Sequence, residues 1–192
     1  MTAFPQASGH LYTVAEYMEL GEDENGYTEL VEGRLIVSPS PVPDHNCAFS
    51  EMRDQLKPQL PDDLEVIVDM DVDLEFAPAN EPGSVRRPDL IVVDRKARQR
   101  VRQEGGLIRA SEVLVIVEIV SPGSKRTDYK TKHLEYADAG IPHHWIVDIA
   151  DPVSLVECHL AGEFGYRDRD AVTGEFRTGL PFPITLRLDQ LL

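Results

Sequence analysis

Hydrophobic positions along the chain change period several times, and each change marks an element. Val113, Leu114, Val115, Ile116 and Val117 form a continuous aliphatic run, the pattern of a strand covered on both faces in the middle of an α/β sheet. Glu118 interrupts that run, and a carboxylate so placed must meet a cation, a metal or a proton, because an unpaired buried charge is too costly to keep. After a turn at Ser121-Pro-Gly-Ser124, a helical pattern begins near Asp128, lasts to Ala139 and stops at Gly140, and His143 to Val147 reads as the next strand. Strand, turn, helix and strand make the βαβ unit of a parallel sheet, in which ligands collect beyond the strand ends. Glu118 lies close to such an end.

Upstream, Thr13-Val-Ala-Glu16 is a capping box that starts a short helix ending near Gly21. Tyr27 to Leu30 and Arg34 to Val37 flank Val31-Glu32-Gly33 and predict a hairpin. Ser38-Pro-Ser-Pro-Val-Pro43 forbids regular structure, and from about Asp44 a helix follows with Ala48, Phe49, Met52 and Leu56 on one face and Pro58 at its end. His45 falls in its first turn, where a lone His is a capping or packing residue. Glu65 to Phe76 alternates strictly and predicts one long strand, with Asp69, Asp71, Asp73 and Glu75 on a wet acidic face. Pro88 belongs at the start of the strand Leu90 to Val93 and holds Asp89 near its edge. Val153 to Leu160 and Phe164 to Arg169 predict short antiparallel strands about Gly162, and Asp189 to Leu192 a closing helical turn.

A length of 192 residues with 42% hydrophobic content suits one globular domain over residues 1–192. The absence of a long apolar run or a basic, apolar N-terminal leader predicts a cytoplasmic protein. Cys47 and Cys158 lack CxxC spacing and read as two reduced, buried thiols. A net charge of −15 excludes a generic electrostatic binder of nucleic acid. Twelve of the 19 Lys and Arg nevertheless fall within residues 86–132, so a local basic rim near Glu118 is expected, with Asp71 and Asp73 elsewhere. The segment from Arg95 to Glu104 reads as a solvated helix face.

No Walker loop, GxGxxG, HExxH or GxSxG occurs, which disfavours nucleotide-binding, zincin and serine-hydrolase chemistry. His143 and His144 are adjacent in a strand, point to opposite faces and cannot easily share an ion. What remains is a set of acids and lysines. Two strand carboxylates such as Asp89 and Glu118 can chelate a hard divalent cation, and a nearby lysine can orient a nucleophile or offset developing charge. That is the logic of PD-(D/E)XK nucleases: Pro88-Asp89 supplies the PD and Glu118-Ile-Val120 the second half, except that Val120 stands where the lysine belongs.

The chain resembles the Uma-two family of restriction-endonuclease-like proteins. The matching pieces are Thr13-Val-Ala-Glu-Tyr17, Tyr27-Thr-Glu-Leu-Val-Glu-Gly-Arg-Leu35, Ser38-Pro-Ser40 with His45, Arg87-Pro-Asp-Leu90, Val117-Glu-Ile-Val-Ser-Pro122, Asp128 with Lys132 and Tyr136, and Gly140-Ile141 with Trp145 to Asp148. The resemblance implies an α/β restriction-endonuclease-like fold, a central mixed sheet flanked by helices, with the nuclease lysine moved from the strand to the following helix. It implies Glu29, Asp89 and Glu118 as metal ligands for Mg2+, with Mn2+ as an alternative, and Lys132 as the catalytic lysine. Helical periodicity alone does not choose Lys132 over Lys130. A metal-dependent endonuclease acting on nucleic acid, DNA foremost, and working as a homodimer is the function implied. The competing class is a catalytically inactive nuclease-fold interaction or regulatory protein.

Overall fold

The computed structural model describes residues 9–21, 27–37, 41–120 and 127–192, with the backbone alone at 127–129. The expected turns at Ser38–Ser40 and Ser121–Ser124, the side chain of Asp128, and Lys125 and Arg126 lie outside the described residues.

Helix α1, Val14–Leu20, starts on the reciprocal cap between Thr13 and Glu16. Strands β1, Thr28–Val31, and β2, Arg34–Val37, form the expected hairpin. Its two-residue turn needs positive φ twice, at Glu32 (47°) and Gly33 (76°), which matches the twist of paired strands. Gly33 is also crowded, because a Cβ there would lie 2.7 Å from Pro82 Cβ. Helix α2, Pro43–Leu56, buries Ala48, Met52 and Leu56.

The single long strand expected over 65–76 is instead two strands in two sheets: β3, Leu64–Val68, and β4, Val72–Asp73. Asp69 breaks the run with φ at 51°, and Glu75 sits at 57° beyond β4, so the chain leaves one sheet and enters another while the alternation of side chains carries on. Strands β5, Val85–Arg86, and β6, Leu90–Asp94, follow. Helix α3, Arg95–Glu104, is capped by Asp94. Then come β7, Ile108–Arg109, and the organising strand β8, Val113–Val120. A wide π-type turn, Thr127–Lys132, leads into α4, His133–Asp138, and β9, His143–Asp148. The rest is β10, Ser154–Leu160, β11, Tyr166–Asp168, β12, Val172–Thr173, β13, Glu175–Thr178, and β14, Ile184–Arg187, closed by a helical turn at Leu188–Gln190.

The large sheet runs β11-β10-β9-β8-β6-β3, with β12 added to β10. Strands β8 and β9 are parallel, as the βαβ pattern predicts, and the other pairs in that sheet are antiparallel. A second sheet, β2-β1-β5-β4-β7, and the hairpin β13-β14 complete the architecture, a mixed α/β fold with helices against the sheet. Strand β8 is covered on both faces because successive side chains enter two cores. Val115, Val117 and Ile119 meet α2 and the β13-β14 hairpin, together with Leu90, Trp145 and Leu186. Ile116 meets the other core, with Ile91, Tyr136 and Ile141. Glu118 shares the Ile116 side and is 3% exposed, so its carboxylate is delivered beneath α4.

Cys158 is buried as expected, but Cys47 is exposed. It precedes Ala48 on α2 and turns away from the face that carries Ala48 and Met52.

Candidate active site

The partner that the sequence demands for Glu118 comes from α4 and the turn before it. Lys132 Nζ donates to Glu118 Oε1 at 3.0 Å and Tyr136 Oη donates to the same oxygen at 2.6 Å. Lys132 and Tyr136 are four residues apart and so share one face of the helical segment. Both are buried, whereas Lys130 is exposed. Lys132 has α-helical geometry at the start of α4 and keeps the phase of Tyr136, whereas Lys130 lies inside the wider π-type turn.

Glu29 reaches the same ammonium from the second sheet, with Lys132 Nζ 3.2 Å from its Oε1. Leu30 pairs with Val85, so Glu29 and Arg86 stand opposite each other one step along, and Arg86 donates to Glu29 Oε2 at 2.8 Å. Arg86 also grips Glu135 of α4 through Nε and Nη2, at 2.6 and 2.8 Å. The Arg87 amide donates to Glu29 Oε1 at 3.0 Å. Burial would raise the Glu29 pKa, but Lys132 and Arg86 outweigh it and hold the carboxyl below its usual range. Burial, and then the charges of Glu118 and Glu29, push Tyr136 well above the phenol range, so it is a permanent donor.

Asp89 stands at the start of β6. The Leu90–Val117 pairing places Asp89 and Glu118 at opposing positions on adjacent antiparallel strands. Asp89 Oδ2 accepts from the Ile119 amide at 2.6 Å, and Oδ1 lies 3.1 Å from His45 Nε2. His45 is thus a partner of Asp89 that a lone His in a first helical turn does not announce. Arg86 and Glu135 also escape sequence reasoning, and Tyr136 enters it only through the family resemblance, since nothing in local spacing marks contacts across two sheets and a helix.

The donor chemistry of Asp89 and Glu118, two carboxylates on neighbouring strands, fits a hard divalent cation. Glu29 fits less well, because two cationic side chains, Arg86 and Lys132, together with the Arg87 amide, hold its oxygens. Among the described residues, Glu29, Asp89 and Glu118 do not gather as a set within 4.8 Å of one another; the set that does is His133, Cys158 and Asp168.

Among the described residues, the basic rim is smaller than expected. Arg95 and Arg98 face Glu65, and Arg100 pairs with Glu112, so these three arginines of α3 are neutralised within their own neighbourhood. Arg87 donates to Asp69 at 2.8 Å and lies 3.9 Å from Asp71 Oδ1, which brings Asp71 to the site's border instead of away from it. Burial raises the Asp71 pKa, opposed by Arg87.

Residues 14–189 match the model of the Uma2 family, described as "Putative restriction endonuclease". Among solved structures, the chain is similar to a protein from Anabaena variabilis described as "a putative nuclease belonging to DUF820", at 19% identity and a TM-score of 0.69, over 94% of this chain and 97% of that one. No curated protein matches. Among the described residues, no helix is long and apolar enough to cross a membrane.

Proposed function

The chain belongs to the Uma2 family, and on that premise we propose that it is a metal-dependent endonuclease that hydrolyses phosphodiester bonds of nucleic acid, DNA foremost. One observation carries the reading: a buried lysine held between two buried acids, Glu29 at 3.2 Å and Glu118 at 3.0 Å. A charged amine is desolvated at such a cost that its position is set by the site, and a fixed positive charge is worth most where negative charge develops during reaction.

Asp89 and Glu118 are the residues that would hold the ion. When bound, a divalent cation such as Mg2+ or Mn2+ supplies charge against phosphate oxygens and makes a water more acidic. Lys132 offers its ammonium to the attacking oxygen or to the phosphate. Tyr136 holds Glu118 by its hydroxyl, and His45 with the Ile119 amide holds Asp89. Glu29 is assigned to positioning: it aims Lys132 while Arg86 ties it to α4 through Glu135.

A second reading has its own support, because the network Arg86–Glu29–Lys132–Glu118 is satisfied among protein groups. A non-catalytic scaffold would keep such a network for stability. Supercoiled plasmid and labelled DNA and RNA strands, incubated with the full chain and Mg2+ or Mn2+, separate the two. Cleavage by wild type and its loss in Asp89→Asn support the nuclease. Intact substrates under every condition overturn it in favour of the scaffold.

A further inference from the structure

Away from the carboxylates, three neighbouring strands carry a row of donor side chains. Strands β9 and β10 pair His144 with Cys158, and β10 and β11 pair Cys158 with Asp168, so the three side chains leave one face of the sheet directly opposite one another. His133, the first residue of α4, comes down on that face. Its Nε2 is 3.4 Å from Asp168 Oδ1 and its ring centroid 5.5 Å from that of His144. One donor atom each from His133, Cys158 and Asp168 lie within 4.8 Å of one another.

The neighbouring imidazole is the second observation. His144 is fully buried, and neither of its ring nitrogens, nor Nδ1 of His133, has a hydrogen-bond partner among the described residues. Buried polar nitrogens left unsatisfied are costly. Here they stand beside a thiol and a carboxylate, walled by the rings of Tyr136 and Tyr166.

We propose that His133, Cys158 and Asp168 bind a zinc ion, with the imidazole of His144 beside them. Thiolate, imidazole and carboxylate together suit this borderline-soft cation, which takes four ligands of these types, and suit magnesium poorly, which takes oxygen ligands. The ion has a way in, since the side chain of Asp168 is 53% exposed and that of His133 14%. It would link β10 and β11 to α4, and α4 follows directly on Lys132 and carries Tyr136. The zinc centre shares no ligand with Asp89 and Glu118, so it stands or falls independently of the nuclease reading.

Cobalt(II) titrated into metal-free full-length protein tests this. The expected result is binding of one equivalent with a thiolate-to-cobalt charge-transfer band in the near ultraviolet. The band should disappear in Cys158→Ser and persist in Cys47→Ser and Asp89→Asn, and zinc should bleach it. Asp168→Asn alters an exposed edge residue and leaves the core intact. It should weaken zinc at least about tenfold in competition with a chromophoric chelator, the scale on which even outer partners of a metal ligand act. A wild-type spectrum without the thiolate band, a band retained in Cys158→Ser, or unchanged zinc affinity in Asp168→Asn overturns the site. If Cys158→Ser does not fold, Asp168→Asn decides alone.

Discussion

Lys132 lies 3.0 Å from Glu118 Oε1, although the two come from different elements and neither has a matching pattern around it. The strand supplies a buried acid, the turn leading into α4 supplies a buried lysine, and on the proposed reading that lysine stands in for the one the strand lacks at Val120. Their removal should therefore have different consequences.

Lys132→Ala is expected to slow nucleic-acid cleavage by roughly 10²–10³, the scale for one preorganised charge-stabilising group, while Mn2+ affinity stays near wild type. Lys130 is exposed, and Lys130→Ala should cleave normally. Single-turnover cleavage with both variants checks this. Inactivity of Lys130→Ala with normal rates in Lys132→Ala would reverse the assignment.

Glu29 and Asp89 should separate under calorimetric titration with Mn2+. On the proposed assignment, Asp89→Asn takes an oxygen donor from the ion and should abolish its binding. Glu29→Gln, whose native carboxylate already serves Arg86, Arg87 and Lys132, should bind Mn2+ almost as wild type and lose rate instead. Equal loss of binding in both would make Glu29 a ligand.

Tyr136→Phe deletes one hydroxyl from a fully buried ring and leaves Glu118 with one donor fewer. A hydrogen bond to a charged group is worth about 1.5–3 kcal/mol, and urea unfolding should show a loss of that order with an unchanged slope. A variant as stable as wild type would mean that Glu118 does not rely on the hydroxyl.

The lowered pKa of Glu29 makes a statement about acid stability. Because the folded value lies below the ordinary 4.5, the unfolded chain takes up the proton first as pH falls. The stabilisation is complete above pH 4.5 and is lost as pH drops through the folded value. Melting temperatures from pH 7 to 3 should fall on the acid side for wild type, and Glu29→Gln should start lower at pH 7 and fall less steeply. Parallel curves for the two would remove Glu29 from the acid transition.

Much of this was legible along the chain because it depends on neighbours in sequence. The Thr13–Glu16 cap, the Glu32-Gly33 turn, the apolar stripe of α2 and the doubly covered run of β8 follow from short-range rules of period, capping and φ. Charge balance was less readable. The Lys and Arg of residues 86–132 predict a field near Glu118, yet Glu65 and Glu112 neutralise Arg95, Arg98 and Arg100, and those partners lie on other elements. The β13-β14 hairpin goes unpredicted, although Ile184 and Leu186 alternate as strand residues should and Phe176 pairs with Leu186.

By itself the sequence determined that Glu118 is a buried acid in a central strand and that it must have a partner, because the cost of an unpaired charge does not depend on what lies nearby. Only the tertiary structure decided who the partner is. Helical period does not choose between Lys132 and Lys130, and the fold brings the first to Glu118 and leaves the second in water. The same holds for the strict alternation from Glu65 to Phe76: the pattern specifies which residues are apolar, while the positive φ of Asp69 sends Val66 and Val72 into different sheets. Side-chain period is a local quantity. Which sheet, which ion pair and which donors converge depend on contacts between residues far apart in the chain, where no local period reaches.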